Sequence, residues 1–181
     1  MNPTETLKHE HQIVLLILDA AEREAASIRA KGTVRVPQVE EMLDFFKNFV
    51  DRCHHGKEER HLFPRLQERG LPSGVGPVAV MLHEHEQGRA AVRAIADALA
   101  RVKAGDREAA GALAAGLTEY TELLRSHIFK ENNVLFPMAD HMLSGADQAE
   151  LAEAFDKVEA EEIGPGVHER YHRLAHELAG E

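Results

Sequence analysis

The chain has 181 residues, 44% of them hydrophobic, which is enough for one domain with a buried core. Its formal net charge of -10 argues against a nucleic-acid or anionic-membrane partner, because phosphate binding needs clustered Lys and Arg. The single cysteine, Cys53, excludes an internal disulfide and a cysteine-based zinc site. We expect a cytoplasmic protein, since the N-terminus is polar without a signal peptide and every apolar run is too short to span a membrane.

Ala, Leu, Glu and Arg dominate the sequence and favour helix, so we expect an all-α fold with little or no sheet. The periodicity predicts four long helices over about residues 4–30, 37–64, 78–104 and 106–142, and Pro64 should kink or end the second. The short connections favour an antiparallel four-helix bundle over residues 1–143. Residues 144–181 form a C-terminal helical extension packed on the bundle, with helices at about 146–161 and 167–179 separated by Gly164-Pro165-Gly166.

The sequence contains an internal repeat that points to a function. The second and fourth helices each hold the pattern His-x-x-x-Glu-x-x-x-Leu-Phe-Pro, and the first and third each hold His-Glu-His upstream of it. The chain is therefore predicted to form two helix hairpins that face each other around a nearly two-fold site. The residues that the two copies supply are His11, His54, Glu58, His85, His127 and Glu131.

The spacing within the repeat suits metal binding. A His and a Glu four residues apart lie on the same helical face, one turn apart, so both can reach one ion. Imidazole suits iron, zinc and copper, while a carboxylate can bridge two ions. Burying four imidazoles and two carboxylates without a metal would be costly. We therefore interpret the six residues as a metal site in the bundle core.

The repeat also distinguishes between neighbours in the second helix. Only His54 and Glu58 align with the second copy, whereas His55 and Glu59 are off its register. His54 shares its face with apolar residues, but His55 shares its face with polar residues and is predicted to face solvent. His55 and His61 are still near enough to contact the ligands. Metal ligation is not expected for these two histidines or for His9, His83, His141 and His176.

The segments HHGKEERHLFP, LHEHEQGR and HIFKENNVLFP resemble the hemerythrin-like, or HHE cation-binding, family. Over about residues 4–142 the chain is especially similar to the bacterial di-iron proteins for repair of iron centres. The resemblance implies a non-haem di-iron site in a four-helix bundle. The N-terminal pair, His11 and His54, would serve one iron ion, and the C-terminal histidine pair would serve the other. The two glutamates would bridge the ions, with an oxo or hydroxo group between them.

The chain departs from this family at two ligand positions. Hemerythrins proper carry His-x-x-x-His in the third helix, but here the corresponding residues are Met81 and Arg89. The repair proteins carry an extra His after the first helix, where this chain has Ala30 and Lys31. Either one iron ion keeps an open or water-filled position, or a residue from elsewhere fills it. His168 is the best-placed remaining donor, by its helix face and its position at a helix N-terminus.

The first coordination sphere does not select one function. A di-iron bundle can bind O2, reduce peroxide, handle nitric oxide, sense redox state or deliver iron. We therefore expect a protein that reacts with such small ligands or handles iron in oxidative or nitrosative stress, and the sequence leaves open whether it is an enzyme. Tyr120, two turns before His127, is expected close to the irons.

Two other functional classes stay open. The segment His168-Glu169-Arg170-Tyr171-His172 matches the H-E-x-x-H motif of zinc metalloproteases, in which Glu169 would be the general base. A passive interaction module that binds metal only for stability is the third class.

Overall fold

The computed structural model describes residues 2–164 and 166–180, apart from the side chains of residues 162 and 163. Within this part the chain forms six helices and no strand, which confirms the predicted all-α fold. We number them α1 (Pro3–Lys31), α2 (36–68), α3 (Pro77–Lys103), α4 (109–142), α5 (145–163) and α6 (Val167–Ala179). None of these helices is long and apolar enough to cross a membrane.

Local sequence signals fix several helix ends. The side chain of Asn2 accepts the backbone N–H of Glu5, whose carboxylate accepts the N–H of Asn2, so α1 begins with a capping box followed by Pro3. It ends at Gly32, which adopts a left-handed φ of 69°. Ser144 and Asp147 form a second capping box at the start of α5.

Neither Pro64 nor Pro137 ends its helix, because the helix widens in front of each one. A proline has no N–H to donate, and its ring clashes with the carbonyl four residues earlier. The helix accommodates both effects through π-helical turns over Glu58–Leu62 in α2 and Glu131–Leu135 in α4. The residue before each proline donates its N–H to the carbonyl five residues back, which belongs to Glu58 in α2 and Glu131 in α4.

Two separate apolar clusters form the core, and each of the four long helices contributes to both. In α2, the buried side chains from Val39 to Val50 belong to the first cluster, while those from Leu62 to Leu66 belong to the second. The helices of the extension pack on these clusters as well, α6 on the first through Tyr171 and α5 on the second through Phe155. Between the clusters lies a layer of polar side chains.

Candidate metal centre

The polar layer contains six of the seven predicted ligands, and each is at most 2% exposed. The possible ligand atoms form two groups, each of which could hold one ion. Both groups draw on the two halves of the chain, and Glu58 belongs to both. The first group is His11, His54, Glu58 and Glu131. The second group is His55, Glu58, His85 and His127.

Each of the four predicted histidines donates from its Nδ1 atom to an oxygen outside the site. These oxygens cannot donate, so each neutral ring carries its proton on Nδ1 and turns an unprotonated Nε2 inward. Such outer partners orient metal-binding histidines and raise their basicity. The pairs are His11 with Asn132 (2.8 Å), His54 with Glu10 (2.7 Å), His85 with Glu59 (2.7 Å) and His127 with Glu84 (2.9 Å).

The inward Nε2 atoms meet in two pairs. The Nε2 atoms of His11 and His54 are 3.0 Å apart, and those of His85 and His127 are 3.2 Å apart. When both rings of a pair are neutral, neither Nε2 atom has a proton to share, so the approach is not a hydrogen bond. Burial lowers the pKa of His127, but Glu131 and Glu84 outweigh it and raise this pKa to about 9, so in the metal-free chain His127 carries a second proton that a cation would displace. A cation bound by both lone pairs is the arrangement that satisfies them.

The carboxylates of Glu58 and Glu131 each reach both histidine pairs. The two oxygens of Glu131 lie 3.1 Å from the Nε2 atom of His11 and 3.2 Å from that of His127. The oxygens of Glu58 lie 3.6 Å from the Nε2 atom of His54 and 3.4 Å from that of His85. Within the described part of the chain, none of the four carboxylate oxygens has a hydrogen-bond partner. Buried carboxylates without partners are costly, so this donor set fits a pair of cations bridged by both glutamates.

Electrostatics at the centre point to the same conclusion. Burial, together with the charge of Glu131, raises the pKa of Glu58 well above its usual range. Burial alone would also raise the pKa of Glu131, but the neighbouring His127 and His11 hold it well below that range. In the metal-free chain the two carboxylates therefore differ in protonation. Cation binding at both would release protons, because bound carboxylates and histidines are deprotonated.

The prediction that His55 faces solvent is wrong. Its ring is 4% exposed and stacks on His85 with centroids 3.8 Å apart, and neither ring nitrogen has a hydrogen-bond partner. His55 ends a π-helical segment over Phe46–His55. The matching pair in the other half, His127 and Ile128, is also buried although it lies in a regular α-helical segment, so the buried face at this level is wide enough for two neighbouring residues.

His168 lies outside both groups of the bundle. It shares a third group with Glu10 and Glu159, and its ring centroid is 5.2 Å from that of Phe49. The second group thus contains His55 where the sequence suggested His168. Among the described residues, no possible ligand group contains both His168 and His172, the two ligands that a zinc-protease site would need.

The repeat also includes matched residues that hold the site histidines from outside. Glu10 and Glu84, the central residues of the two His-Glu-His segments, each accept hydrogen bonds from a histidine and from a lysine. The lysines are Lys57 and Lys130, which directly precede Glu58 and Glu131. Matching positions in the two copies could have revealed these outer partners.

An open cavity of about 170 Å³ leads from the surface to His55. Phe46 and Tyr120 line it together with Asp51 and Arg89. Tyr120 was expected near the irons, and it is buried here with its ring centroid 4.5 Å from that of Phe46. Burial raises the pKa of the Tyr120 phenol, so it stays protonated at neutral pH.

Residues 2–139 match the hemerythrin HHE cation binding domain. The chain belongs to this family. The match covers α1 to α3 and nearly all of α4, so it includes every residue of the two ligand groups.

The curated relatives of this chain include an uncharacterized protein and iron-sulfur cluster repair proteins. An uncharacterized protein of Mycobacterium tuberculosis (strain H37Rv) is 24% identical over 160 residues, which are 88% of this chain and 62% of that protein. An iron-sulfur cluster repair protein, YtfE of Edwardsiella ictaluri, is 32% identical over 135 residues, 73% of this chain and 59% of that protein. YtfE of Musicola paradisiaca is 40% identical over 89 residues, 48% of this chain and 40% of that protein. The chain thus spans about three-fifths or less of the length of these relatives.

Proposed function

We propose that the bundle holds two non-haem iron ions and that the protein uses them to react with O2, peroxide or nitric oxide, or to handle iron, under oxidative or nitrosative stress. One observation carries the proposal. Four buried imidazoles, each held through Nδ1 by an outer oxygen, turn their Nε2 atoms toward two buried carboxylates for which the described residues supply no hydrogen-bond partner. Mixed imidazole and carboxylate donors with two bridging carboxylates are typical of di-iron bundles.

In this proposal the two ligand groups hold one ion each. His11 and His54 bind the first ion, and the C-terminal histidine pair with His55 binds the second. Glu58 and Glu131 bridge the ions, since each carboxylate reaches both pairs. An oxo or hydroxo bridge between the ions remains a prediction of the family resemblance. When bound, the iron pair supplies reversible redox chemistry and affinity for small ligands.

The chain's own residues prepare the site for this chemistry. The outer oxygen partners hold a proton on Nδ1 of each ring, so the lone pair of each neutral imidazole lies on Nε2, on the side of the two carboxylates. Phe63 stacks on His85 with centroids 5.8 Å apart, and Phe136 stacks on His11 at 5.5 Å. These rings come from the two Leu-Phe-Pro motifs and, as part of the second apolar cluster, they keep water from that side of the centre.

The cavity at His55 supports access for a small ligand to the second ion. Arg89, at its wall, pairs with Asp51 and with Glu59, so its position is fixed. Lys47 and Arg93 add further positive charge to the lining. A small anion or polar diatomic ligand fits this opening better than a bulky substrate. The Tyr120 phenol keeps a proton that it can offer to a ligand held there.

The relatives named as iron-sulfur cluster repair proteins support a role in repairing iron centres, and we extend that role to this chain as part of the proposal. A soluble cytoplasmic location and the absence of a nucleic-acid partner remain predictions from the sequence. The zinc-protease alternative has little support, because Glu169 is exposed and His168 and His172 share no ligand group among the described residues.

Metal analysis of protein from iron-supplied cells, combined with an absorption spectrum, tests the proposal. We expect two iron ions per chain and near-ultraviolet bands of a bridged ferric pair. Addition of azide or nitric oxide should change the spectrum. Widening the His55 cavity with Phe46→Ala should raise the rate of this change, whereas Val80→Ala, at an exposed position outside the cavity, should not. Iron that never responds to small ligands would contradict the reactive role.

A further inference from the structure

A second cluster of metal-binding side chains lies where the C-terminal extension meets α1. Ligand atoms of Glu10, Glu159 and His168 all lie within 4.8 Å of one another. The Nδ1 atom of His168 is buried and has no hydrogen-bond partner among residues 2–164 and 166–180. Glu159 is 36% exposed, so the cluster borders solvent, whereas the two ligand groups of the bundle are buried. The cluster therefore includes His168, the first residue of the H-E-x-x-H motif, which belongs to neither ligand group of the bundle.

A line of histidines leads from the cluster toward the surface. The ring of His172 lies 6.0 Å from that of His168 and 5.7 Å from that of His176, measured between centroids. His9, on α1, stacks on His172 at 5.5 Å. The i, i+4, i+8 spacing along α6 places its three histidines along one side of the helix. Imidazoles arranged this way offer successive nitrogen donors to a passing cation.

The charge of the cluster favours a cation despite the nearby lysine. Lys57 donates to Glu10 and to Glu159, the latter at 2.5 Å, and neutralises one of the two carboxylates. One negative charge therefore remains beside the unpartnered nitrogen of His168. Glu10 also accepts from His54, a ligand of the first buried group, so it touches both the outer cluster and the bundle centre.

We propose that His168 and Glu159, with Glu10 behind them, form an outer site for a divalent transition-metal ion such as Fe²⁺, and that ions pass through this site when the bundle is loaded. Mixed nitrogen and oxygen donors suit Fe²⁺, Co²⁺ and Zn²⁺ better than Mg²⁺ or Ca²⁺. The loading role rests on the proposed di-iron function, whereas the outer site itself does not. His168 thus keeps a metal-binding role, but toward a different ion from the one that the sequence suggested.

Cobalt titration of the iron-loaded, oxidised protein tests the outer site. We expect one Co²⁺ to bind per chain beyond the two irons, seen by equilibrium dialysis and by cobalt absorption bands. His168→Ala and Glu159→Gln should each weaken this binding at least about tenfold while leaving the iron content and spectrum unchanged. His141→Ala is the matched control, because it removes an exposed histidine outside every ligand group. Failure of the loaded protein to bind an additional Co²⁺, or equal binding by parent and His168→Ala, would overturn the outer site.

Iron uptake by metal-free protein tests the loading role. Stopped-flow mixing with Fe²⁺ under air should show slower formation of the ferric spectrum in His168→Ala than in the parent or in His141→Ala, with the same final amplitude. Equal rates would overturn the loading role. A chain that holds no iron in the bundle, yet binds one Co²⁺ in a His168-dependent way, would instead overturn the proposed function and leave the outer site standing.

Discussion

His55 and Ile128 occupy equivalent positions in the two halves of the bundle, and each is 4% exposed. Each directly follows the repeat histidine of its helix, His54 or His127. Ile128 belongs to the first apolar cluster, whereas His55 offers one ring nitrogen to the second ligand group and its Nδ1 atom lies 3.6 Å from the carboxylate of Asp51. The site is therefore symmetric in its four predicted histidines and two glutamates but asymmetric in this fifth imidazole.

Replacing His55 by isoleucine, the residue at the matching position of the other half, separates its effect on stability from its effect on iron retention. In the metal-free protein, His55→Ile should leave the free energy of unfolding unchanged or raise it by about 1 kcal/mol, because an unsatisfied buried polar group is removed. In the iron-loaded protein, one of the two ions should be lost to a chelator about 10-fold faster. Ile128→Val is the control, which should cost about 1 kcal/mol without changing iron retention. A less stable metal-free protein with normal iron retention would show that His55 only fills space.

The outer partner of His127 should affect metal affinity without being a ligand. Glu84→Gln removes the charge that accepts the Nδ1 proton of His127, so we expect iron affinity to fall about 10- to 100-fold. Glu86→Gln changes a neighbouring carboxylate that is 68% exposed and pairs with Arg89, and it should leave affinity nearly unchanged. Competition with a chelator measures both variants. Equal effects would mean that bulk charge, not the hydrogen bond to His127, determines affinity.

Lys57 and Lys130 are matched in the repeat but differ in burial, which predicts unequal contributions to stability. Lys57 is fully buried between Glu10 and Glu159, whereas Lys130 is 35% exposed beside Glu84. Lys57→Met should cost about 3–5 kcal/mol, because Glu10 would keep a buried charge without its lysine. Lys130→Met should cost less than about 1 kcal/mol. Urea unfolding of the metal-free variants gives both values, and similar losses would refute the burial argument.

The contact between the extension and α2 should depend on pH through Asp147. Hydrogen bonds from Arg69, Ser144 and Arg65 hold the pKa of this carboxyl below its ordinary value of 3.8. A lowered folded-state pKa means that the stabilisation is fully present above the unfolded value and is lost as the pH falls below it. Asp147→Asn keeps a capping side chain but removes the charge.

The melting temperature of metal-free Asp147→Asn should therefore lie below that of the parent by a constant amount between pH 6 and 8. The gap should narrow below about pH 4. Titration of the buried histidines is common to both proteins and cancels in this difference. A gap that does not change with pH would assign the effect to packing of the side chain and not to its charge.

The sequence was sufficient to predict the all-α fold and the six residues that meet in the polar layer, because the spacing of the repeat is the same in both copies. It also held the outer partners Glu10 and Glu84, which occupy matching positions in the two copies. Polar neighbours on its helix face led to the prediction that His55 faces solvent. Its repeat counterpart Ile128 is apolar, so the match could have shown that the position is buried, but not that His55 offers a nitrogen to a ligand group.

The environment of His168 was beyond sequence reasoning for a different reason. Helix dipole and helix face suggested His168 as a donor to the bundle centre, but they do not determine how the extension docks. The structure places it beside Glu159 of α5 and Glu10 of α1. Glu10 is far from both other residues along the chain. The docking of the extension, which local periodicity does not predict, therefore determines which ligand group contains His168.

In the proposed function two ions share one bridged centre, and iron analysis of Glu131→Ala tests this arrangement most directly. Both oxygens of Glu131 approach a histidine, His11 on one side and His127 on the other. Removal of this carboxylate should therefore weaken both ions, and we predict that purified Glu131→Ala retains well under one iron per chain, against two in the parent. Loss of a single ion from Glu131→Ala, with the other fully retained, would contradict a shared bridge, as would a parent protein that contains only one metal ion in the bundle.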